Sequence, residues 1–471
     1  LSILRMEAFD GLTLFTPFAQ NEEVLTYLID NDYNVINSWN QEHVPASMPY
    51  LLPDSSIIYP YQVNHPTMIA GGVGGGVKKI LWDGTVVWNY IFSDDNYQHH
   101  HDIEMLPNGN ILILVWEKKT ISEAYDMGRA DVDSWTVPEM WSTAVLELNP
   151  ETGLIEWEWH LWDHLIQDRD PSFDAFFGII SAYPELFDIN CGAVGNSAGG
   201  PQMPNGDWMH MNSIDYNPIL DQIVLSSRLQ SEFYIIDHST TTEQAASHEG
   251  GNSDKGGDIL YRWGNPSNYD RGSLNDRILD GQHSVNWIPD GYPGEGNIIL
   301  FNNFHQPHGS NLYSAVLEIT APVDNSGGYI ISENGAYGPD YITWDYISNT
   351  LVPIQGGAFR LPNGNTIMTF TQQAKIREVD FFGNIVWEYV HDYQDASWWI
   401  ARSNKYSLDY LDNITLGDIN SDESLDILDI VLMINMILDS QYGTVADVNE
   451  DGFLDILDVV VMVNILIGGL P

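Results

Sequence analysis

A turn flanked by alternating apolar residues and closed by tryptophan or tyrosine recurs along most of the chain, and few folds accept such a repeat. The copies read YLIDNDYNVINSW (27–39), ILWDGTVVWNY (80–90), LELNPETGLIEWEW (146–159) and VDFFGNIVWEYV (379–390), with looser versions from Phe233 to Trp263 and from Val316 to Tyr346. Between them runs a second unit of strand, turn and strand: YLLPDSSIIY (50–59), EMLPNGNILILVW (104–116), SIDYNPILDQIVLSS (213–227), NWIPDGYPGEGNIILFNN (286–303) and FRLPNGNTIMTF (359–370). Asn-Gly and Asp-Gly pairs supply the positive φ of tight hairpins, and the flanking β-branched and aromatic residues suit pleated strands. Two hairpins in alternation make one four-stranded blade, and the repeat predicts a mainly β chain folded as a β-propeller. Six tryptophan units against five turn units fit six blades, with the ring closed by joining the N-terminal strands to a C-terminal one. The spacing alone also admits five.

The character changes at about residue 412. Residues 412–471 hold twelve acidic side chains and no Lys or Arg, and they carry a repeat of their own. DINSDESLDILD (418–429) and DVNEDGFLDILD (447–458) each place Asp, Asn, Asp, Asp and Asp at loop positions 1, 3, 5, 9 and 12. That oxygen-rich spacing is what a hard cation demands, and each loop leads into an apolar helix. The chain therefore divides into a propeller over 1–411 and a small α-helical domain over 412–471 with paired EF-hand-type calcium loops. Its ligands are Asp418, Asn420, Asp422, Asp426 and Asp429, then Asp447, Asn449, Asp451, Asp455 and Asp458.

Charge narrows the partners. Lys and Arg number 17 against 66 Asp and Glu, a formal charge of −49 that repels nucleic acid and favours cations. No apolar run reaches membrane-spanning length, since IVLMINMIL (430–438) and VVVMVNILIGGL (459–470) are short and each is interrupted by asparagine. The single cysteine, Cys191, excludes an intramolecular disulfide and reads as a buried thiol. A chain that begins at Leu1 fits either removal of a signal peptide or trimming.

Ligands of propellers usually sit over the central channel, where innermost strands from every blade converge. QHHHDIEMLPNGN sets His101 before a hairpin, and strand alternation turns only one of His99, His100 and His101 inward. DWMHMNS sets His210 and Asn212 two apart, on one face of a strand. Arg228 in LSSRLQSE returns beside them, and GQHSVNW adds His283 in the next blade. Imidazoles able to act as nucleophiles or general acids, beside a planar guanidinium, suit an oxyanion. GNSAG (195–199) fits a hydrolase nucleophile pattern but lies in a Gly- and Pro-rich loop with no helix after it. GGVGGGVKK (71–79) lacks the Gly-Lys-Ser/Thr ending of a phosphate loop and reads as a close approach of strands near the axis.

Residues 11 to 410 resemble the bacterial arylsulfate sulfotransferases, through GLTLFTPF, TYLIDNDYNVINSW, HHDIEMLPNGN, DWMHMNSIDYNP, VLSSRLQSE and GQHSVNW. The resemblance implies transfer of a sulfuryl group from a phenolic sulfate donor to a phenolic acceptor, with no nucleotide sulfate and no metal in the reaction. It implies His283 as the nucleophile that becomes sulfated, with His101, His210, Asn212 and Arg228 holding the sulfuryl oxygens. The tail resembles a type I dockerin, which implies calcium, adds the backbone carbonyls of Ser424 and Phe453 to the ligands, and implies a secreted protein. Ile427 with Leu428 and Ile456 with Leu457 are apolar where many dockerins carry polar recognition residues, so a cohesin-like partner, a surface protein and self-assembly all stay open. The competing reading is structural: an extracellular scaffold, an inactive propeller assembled through its calcium module, as in a filament.

Overall fold

The computed structural model describes residues 7–20, 22–194, 204–306, 312–324, 327–331, 335–392, 397–411, 417–419, 425–438, 446, 448–449 and 453–466. Six four-stranded antiparallel sheets form the blades of a propeller. In chain order the innermost strands are Tyr50–Leu51, Tyr97–Met105, Met211–Asn217, His283–Trp287, Gly357–Arg360 and Trp399–Ser407. The last of these pairs with Gly11–Phe18, which is followed outward by Val24–Ile29 and Val35–Gln41. The ring is thus closed by one C-terminal and three N-terminal strands, as the unequal count of sequence units predicts.

The recurrent tryptophan or tyrosine has one job repeated six times. Each lies on the outermost strand of a blade, and its polar atom crosses to the neighbouring blade. Trp39 Nε1 donates to Leu81 O at 2.9 Å, Tyr90 Oη to Pro150 O at 2.8 Å and Trp157 Nε1 to Thr240 Oγ1 at 3.2 Å. Trp263 Nε1 donates to Pro339 O at 3.0 Å, Trp344 Nε1 to Phe381 O at 2.8 Å and Trp387 Nε1 to Asn31 O at 2.9 Å. A large apolar ring fills the wedge between blades while its one donor satisfies an oxygen there, a carbonyl in five cases and the Thr240 hydroxyl in the other. The hairpin turns also match the sequence: Gly109 and Gly364 of the LPNGN turns sit at φ +85° and +87°, where a Cβ would be strained.

Between the second and third blades the chain leaves the ring. Residues Leu165–Gln167 there form a small parallel sheet with Phe176–Phe177 and Phe187–Asp188.

The C-terminal helices Ile427–Leu438 and Ile456–Leu466 repeat one another at the 29-residue offset of the loops. Ile430, Met433, Val459 and Met462 bury into a shared core with Ala446. Asp429 and Asp458 are fully buried at the first turns. Asp429 accepts N–H groups from Ile419 (2.8 Å) and Asp426 (2.9 Å), and Asp458 accepts them from Asn449 (3.2 Å) and Asp455 (2.8 Å). Each terminal carboxylate therefore folds its loop back onto its own start.

Candidate functional site

Side chains of one blade's inner strand accept N–H groups from the next strand, and this ladder sets the register of the channel. Ile214 N donates to Asp102 Oδ2 (3.3 Å) and Val285 N to Ser213 Oγ (2.9 Å). His101 and Asn212 stand one place before Asp102 and Ser213, and His283 two places before Val285, so these three occupy equivalent positions in three successive blades. Asn212 Nδ2 closes the seam by donating to Gln282 O at 2.7 Å.

His210 reaches the same place by another route. Strand alternation puts it on the Asn212 face, but the structure does not continue the strand there. His210 precedes the strand with φ +48°, and the ladder shifts register between Met211 and Ser213. Its ring nonetheless meets His101 edge-on, with centroids 4.8 Å apart, and His101 lies 6.4 Å from His283. Alternation fails in the histidine triplet for the same reason. His101 has φ +55°, and its Nδ1 stands 2.9 Å from Nδ1 of His100, which stacks on Trp116. His99 Nδ1 accepts the Gly75 N–H at 3.0 Å.

The glycine run supplies the wall behind these rings. A Cβ on Gly72 would lie 2.0 Å from His101 Nε2, and one on Gly74 2.5 Å from His99 Nδ1. Gly71 faces the His210 ring. The close approach expected of GGVGGG is thus backbone laid against imidazoles. GNSAG lies outside the described residues.

The protonation pattern follows from the hydrogen bonds. Asn303 Nδ2 donates to Val352 O (2.7 Å) and Gln355 O (2.8 Å), so its Oδ1 faces His283 Nδ1 at 2.8 Å as an acceptor. His283 therefore carries its proton on Nδ1 and keeps the Nε2 lone pair. Burial, and then the charge of Arg228, hold this imidazole well below the usual histidine range, so it is neutral at physiological pH. Burial, and then His210, do the same to His101. His210 Nδ1 is anchored on the fully buried carboxylate of Asp207, which leaves its Nε2 available.

Two guanidinium groups face these rings. Arg228 returns as expected: its N–H donates to His210 O at 3.1 Å. Burial lowers its pKa, opposed by the carboxylates of Asp207 and Asp280. Among the described residues its guanidinium makes no hydrogen bond or ion pair, whereas the buried Arg262, Arg360 and Arg402 each hold a carboxylate. Arg402 binds Asp102 Oδ2 at 2.7 Å and Asn212 O at 3.1 Å, and its charge reaches both His101 and His283. Burial lowers its pKa, but Asp102 and Tyr50 outweigh this and hold it above its ordinary value. Asn212 Oδ1 and Ser284 Oγ are buried without partners among the described residues.

The structure thus brings His101, His210, Asn212, Arg228 and His283 together, and adds Asp207, Asn303 and Arg402. A neutral His283 with a free Nε2 lone pair, beside a guanidinium that is unpaired among the described residues, is an arrangement suited to a tetrahedral oxyanion that one ring nitrogen could attack. In the tail, Asp418, Asp426, Asp429, Asn449, Phe453, Asp455 and Asp458 are described, while Asn420, Asp422, Ser424, Asp447 and Asp451 lie outside the described residues. An all-oxygen set, two closed loops and a tail without a single Lys or Arg fit a hard divalent cation.

A sequence model of the arylsulfotransferase (ASST) family matches residues 7–315, and one of the dockerin type I domain matches residues 416–467. The chain belongs to the arylsulfotransferase family and ends in a type I dockerin domain, a calcium-binding module typical of extracellular proteins. No curated protein matches it. Among solved structures it is similar to a protein of unknown function from Bacteroides caccae, at 12% identity and TM-score 0.42 over 84% of this chain and 98% of that one. It is also similar to virginiamycin B lyase from Staphylococcus aureus, at 10% identity and TM-score 0.37 over 83% and 90%. Hydrazine synthase of Kuenenia stuttgartiensis matches at 12% and 0.34 over 64% and 68%. No described helix is long and apolar enough to cross a membrane.

Proposed function

We propose that the propeller is a secreted aryl sulfotransferase that works by a ping-pong mechanism through His283. In the first half-reaction His283 Nε2 attacks the sulfur of a phenolic sulfate ester and the S–O(aryl) bond breaks. The departing oxygen takes a proton from His210, whose ring Asp207 orients. In the second half an acceptor phenol returns a proton to His210, its oxygen bonds sulfur, and the N–S electron pair goes back to His283. Sulfuryl transfer resembles phosphoryl transfer in its loose transition state, with charge on the equatorial oxygens, so oriented donors carry most of the rate. Arg228, Asn212 and His101 are those donors here, with Arg402 adding positive field from behind.

One observation carries this reading: Asn303 fixes His283 with its Nε2 lone pair free, beside the Arg228 guanidinium, which makes no hydrogen bond or ion pair among the described residues. The test is release of phenol from a chromogenic aryl sulfate, with an acceptor phenol present, no nucleotide sulfate and saturating calcium. Wild type turns over and His283→Ala does not. No release by folded wild type would overturn the proposal.

The tail is proposed to hold two calcium ions in its paired loops and to mediate attachment. Ile427, Phe453 and Ile456 are 68%, 70% and 63% exposed, an apolar face suited to a cohesin-like, surface or self-assembly partner.

A further inference from the structure

Away from the channel, two imidazoles converge on one carboxylate oxygen. His164 ends the short turn Leu161–His164 that follows the outer strand of the second blade. His248 comes after the helical turn Thr242–Ala245, and Asp258 precedes the strand Tyr261–Trp263 of the third blade. Nδ1 of His164 and Nδ1 of His248 each lie 2.7 Å from Asp258 Oδ1. The three donor atoms lie within 4.8 Å of one another.

The hydrogen bonds around His164 make this more than a crowded corner. Its Nε2 lies 2.8 Å from the carbonyl of Ala245. A carbonyl only accepts, so Nε2 carries a proton, and Nδ1 meets the carboxylate either through a second proton or, when a cation takes that proton's place, through its lone pair. The carboxylate oxygen that faces His164 Nδ1 also faces a second imidazole nitrogen. Two ring nitrogens and a carboxylate oxygen gathered this closely share positive charge, carried by ring protons or by a cation in their place.

We propose that this charge is carried by a divalent transition-metal ion of the zinc class, bound by His164 Nδ1, His248 Nδ1 and Asp258. Two imidazoles and a carboxylate are borderline ligands that suit zinc, and they differ from the all-oxygen set of the tail. Ligands on arms of about 2.0–2.2 Å stand about 3.3 Å apart around a tetrahedral ion, so loading asks the donors to separate by about half an ångström. His248, 54% exposed, has that freedom.

The surroundings are built as metal sites are. The Ala245 carbonyl orients His164 through its far nitrogen, the usual partner of a ligating histidine. Trp159 stacks on the ring at 5.8 Å and 6°, and its Nε1 donates to Gly257 O at 2.8 Å. A Cβ on Gly257 would lie 2.6 Å from His164 Nε2, so the backbone passes there only as glycine. On the open side His248 borders a cleft of about 420 Å³ with Trp162, Asp163 and Phe176, which gives the ion a way in. A bound ion ties the second blade to the loop before the outermost strand of the third.

The test uses the full chain, stripped with chelator and then given excess calcium to occupy the tail loops. Titration with zinc alone, followed calorimetrically, is expected to show one site per chain. His248→Ala, a substitution at an exposed ring, should weaken it by about 100-fold or more while leaving aryl sulfate turnover unchanged. Cobalt in place of zinc should give the intense visible bands of a four-coordinate ion in wild type and not in Asp258→Asn. Zinc should also raise the melting temperature of wild type and leave that of His248→Ala unmoved. Absence of zinc binding above the calcium-loaded baseline overturns the proposal. So does equal binding by wild type, His248→Ala and Asp258→Asn, or a His164 ring that stays doubly protonated by nitrogen NMR when zinc is present.

Discussion

Asn303 makes no contact with substrate in the proposed mechanism, yet its loss should nearly silence the enzyme. Asn303→Ala removes three hydrogen bonds together, two buried and one partly buried: the acceptor for His283 Nδ1 and the donors to Val352 O and Gln355 O. Buried groups left unpaired cost about 1–3 kcal/mol each, and water entering the vacated volume recovers part, so a net destabilisation of about 2–4 kcal/mol is expected. The effect on rate is larger. A catalytic histidine held in the wrong tautomer loses about 10⁴ in turnover in the serine-protease precedent, and a ring free to rotate loses less, so a fall of about 10²–10⁴ is expected. Asn303→Asp separates position from packing. It keeps an acceptor for Nδ1, and its carboxylate raises the pKa of His283 from its depressed value, so the acid limb of the rate moves to higher pH. The assay is steady-state phenol release against pH, normalised to folded protein by circular dichroism. Nitrogen NMR of the His283 ring should show the proton on Nδ1 in wild type. Asn303→Ala turnover within about threefold of wild type would refute the reasoning.

Arg228→Ala should lower kcat by about 10²–10³, the usual cost of one oxyanion donor, and Arg228→Lys should recover only part, because a point charge does not replace the planar fork. Removing its charge should also let the pKa of His283 rise, readable in the same NMR titration. His238 bridges Glu147 Oε2 at 2.9 Å and Asp221 Oδ1 at 2.8 Å. Burial lowers its pKa, but these carboxylates outweigh burial and the net shift is upward. Its contribution to stability is therefore fully present below about pH 6.5 and lost as pH rises through the folded-state value. Denaturant unfolding across that range should show the loss, and His238→Gln should flatten it. Chelation of calcium should abolish the circular-dichroism signal of the two tail helices while the propeller keeps its sheet signal, since such loops fold around their ions.

The blades were legible because their determinants are local. An Asn-Gly turn, alternating apolar residues and a closing tryptophan act within a dozen residues, and the six inter-blade hydrogen bonds give the aromatic repeat its reason. The channel was legible only where blade equivalence extends to side chains, as for His101, Asn212 and His283. His210 reached the cluster although the alternation argument failed, because its left-handed backbone and the following bulge re-aim the ring. Asp207, Asn303 and Arg402 carry no local signal: Arg402 meets Asp102 across 300 residues, and Asn303 is a strand asparagine like many others. The His164 cluster was hidden for the same reason, since its members lie 84 and 10 residues apart and join only through the fold.

The central claim is a covalent bond between sulfur and His283. The most direct measurement is mass spectrometry of the calcium-loaded protein after brief incubation with an aryl sulfate and no acceptor. An acid-labile adduct with the mass of one sulfuryl group, mapped to the peptide containing His283 and discharged by added phenol, is the predicted result. Phenol release with no adduct on His283, or with the adduct on another residue, would contradict the account.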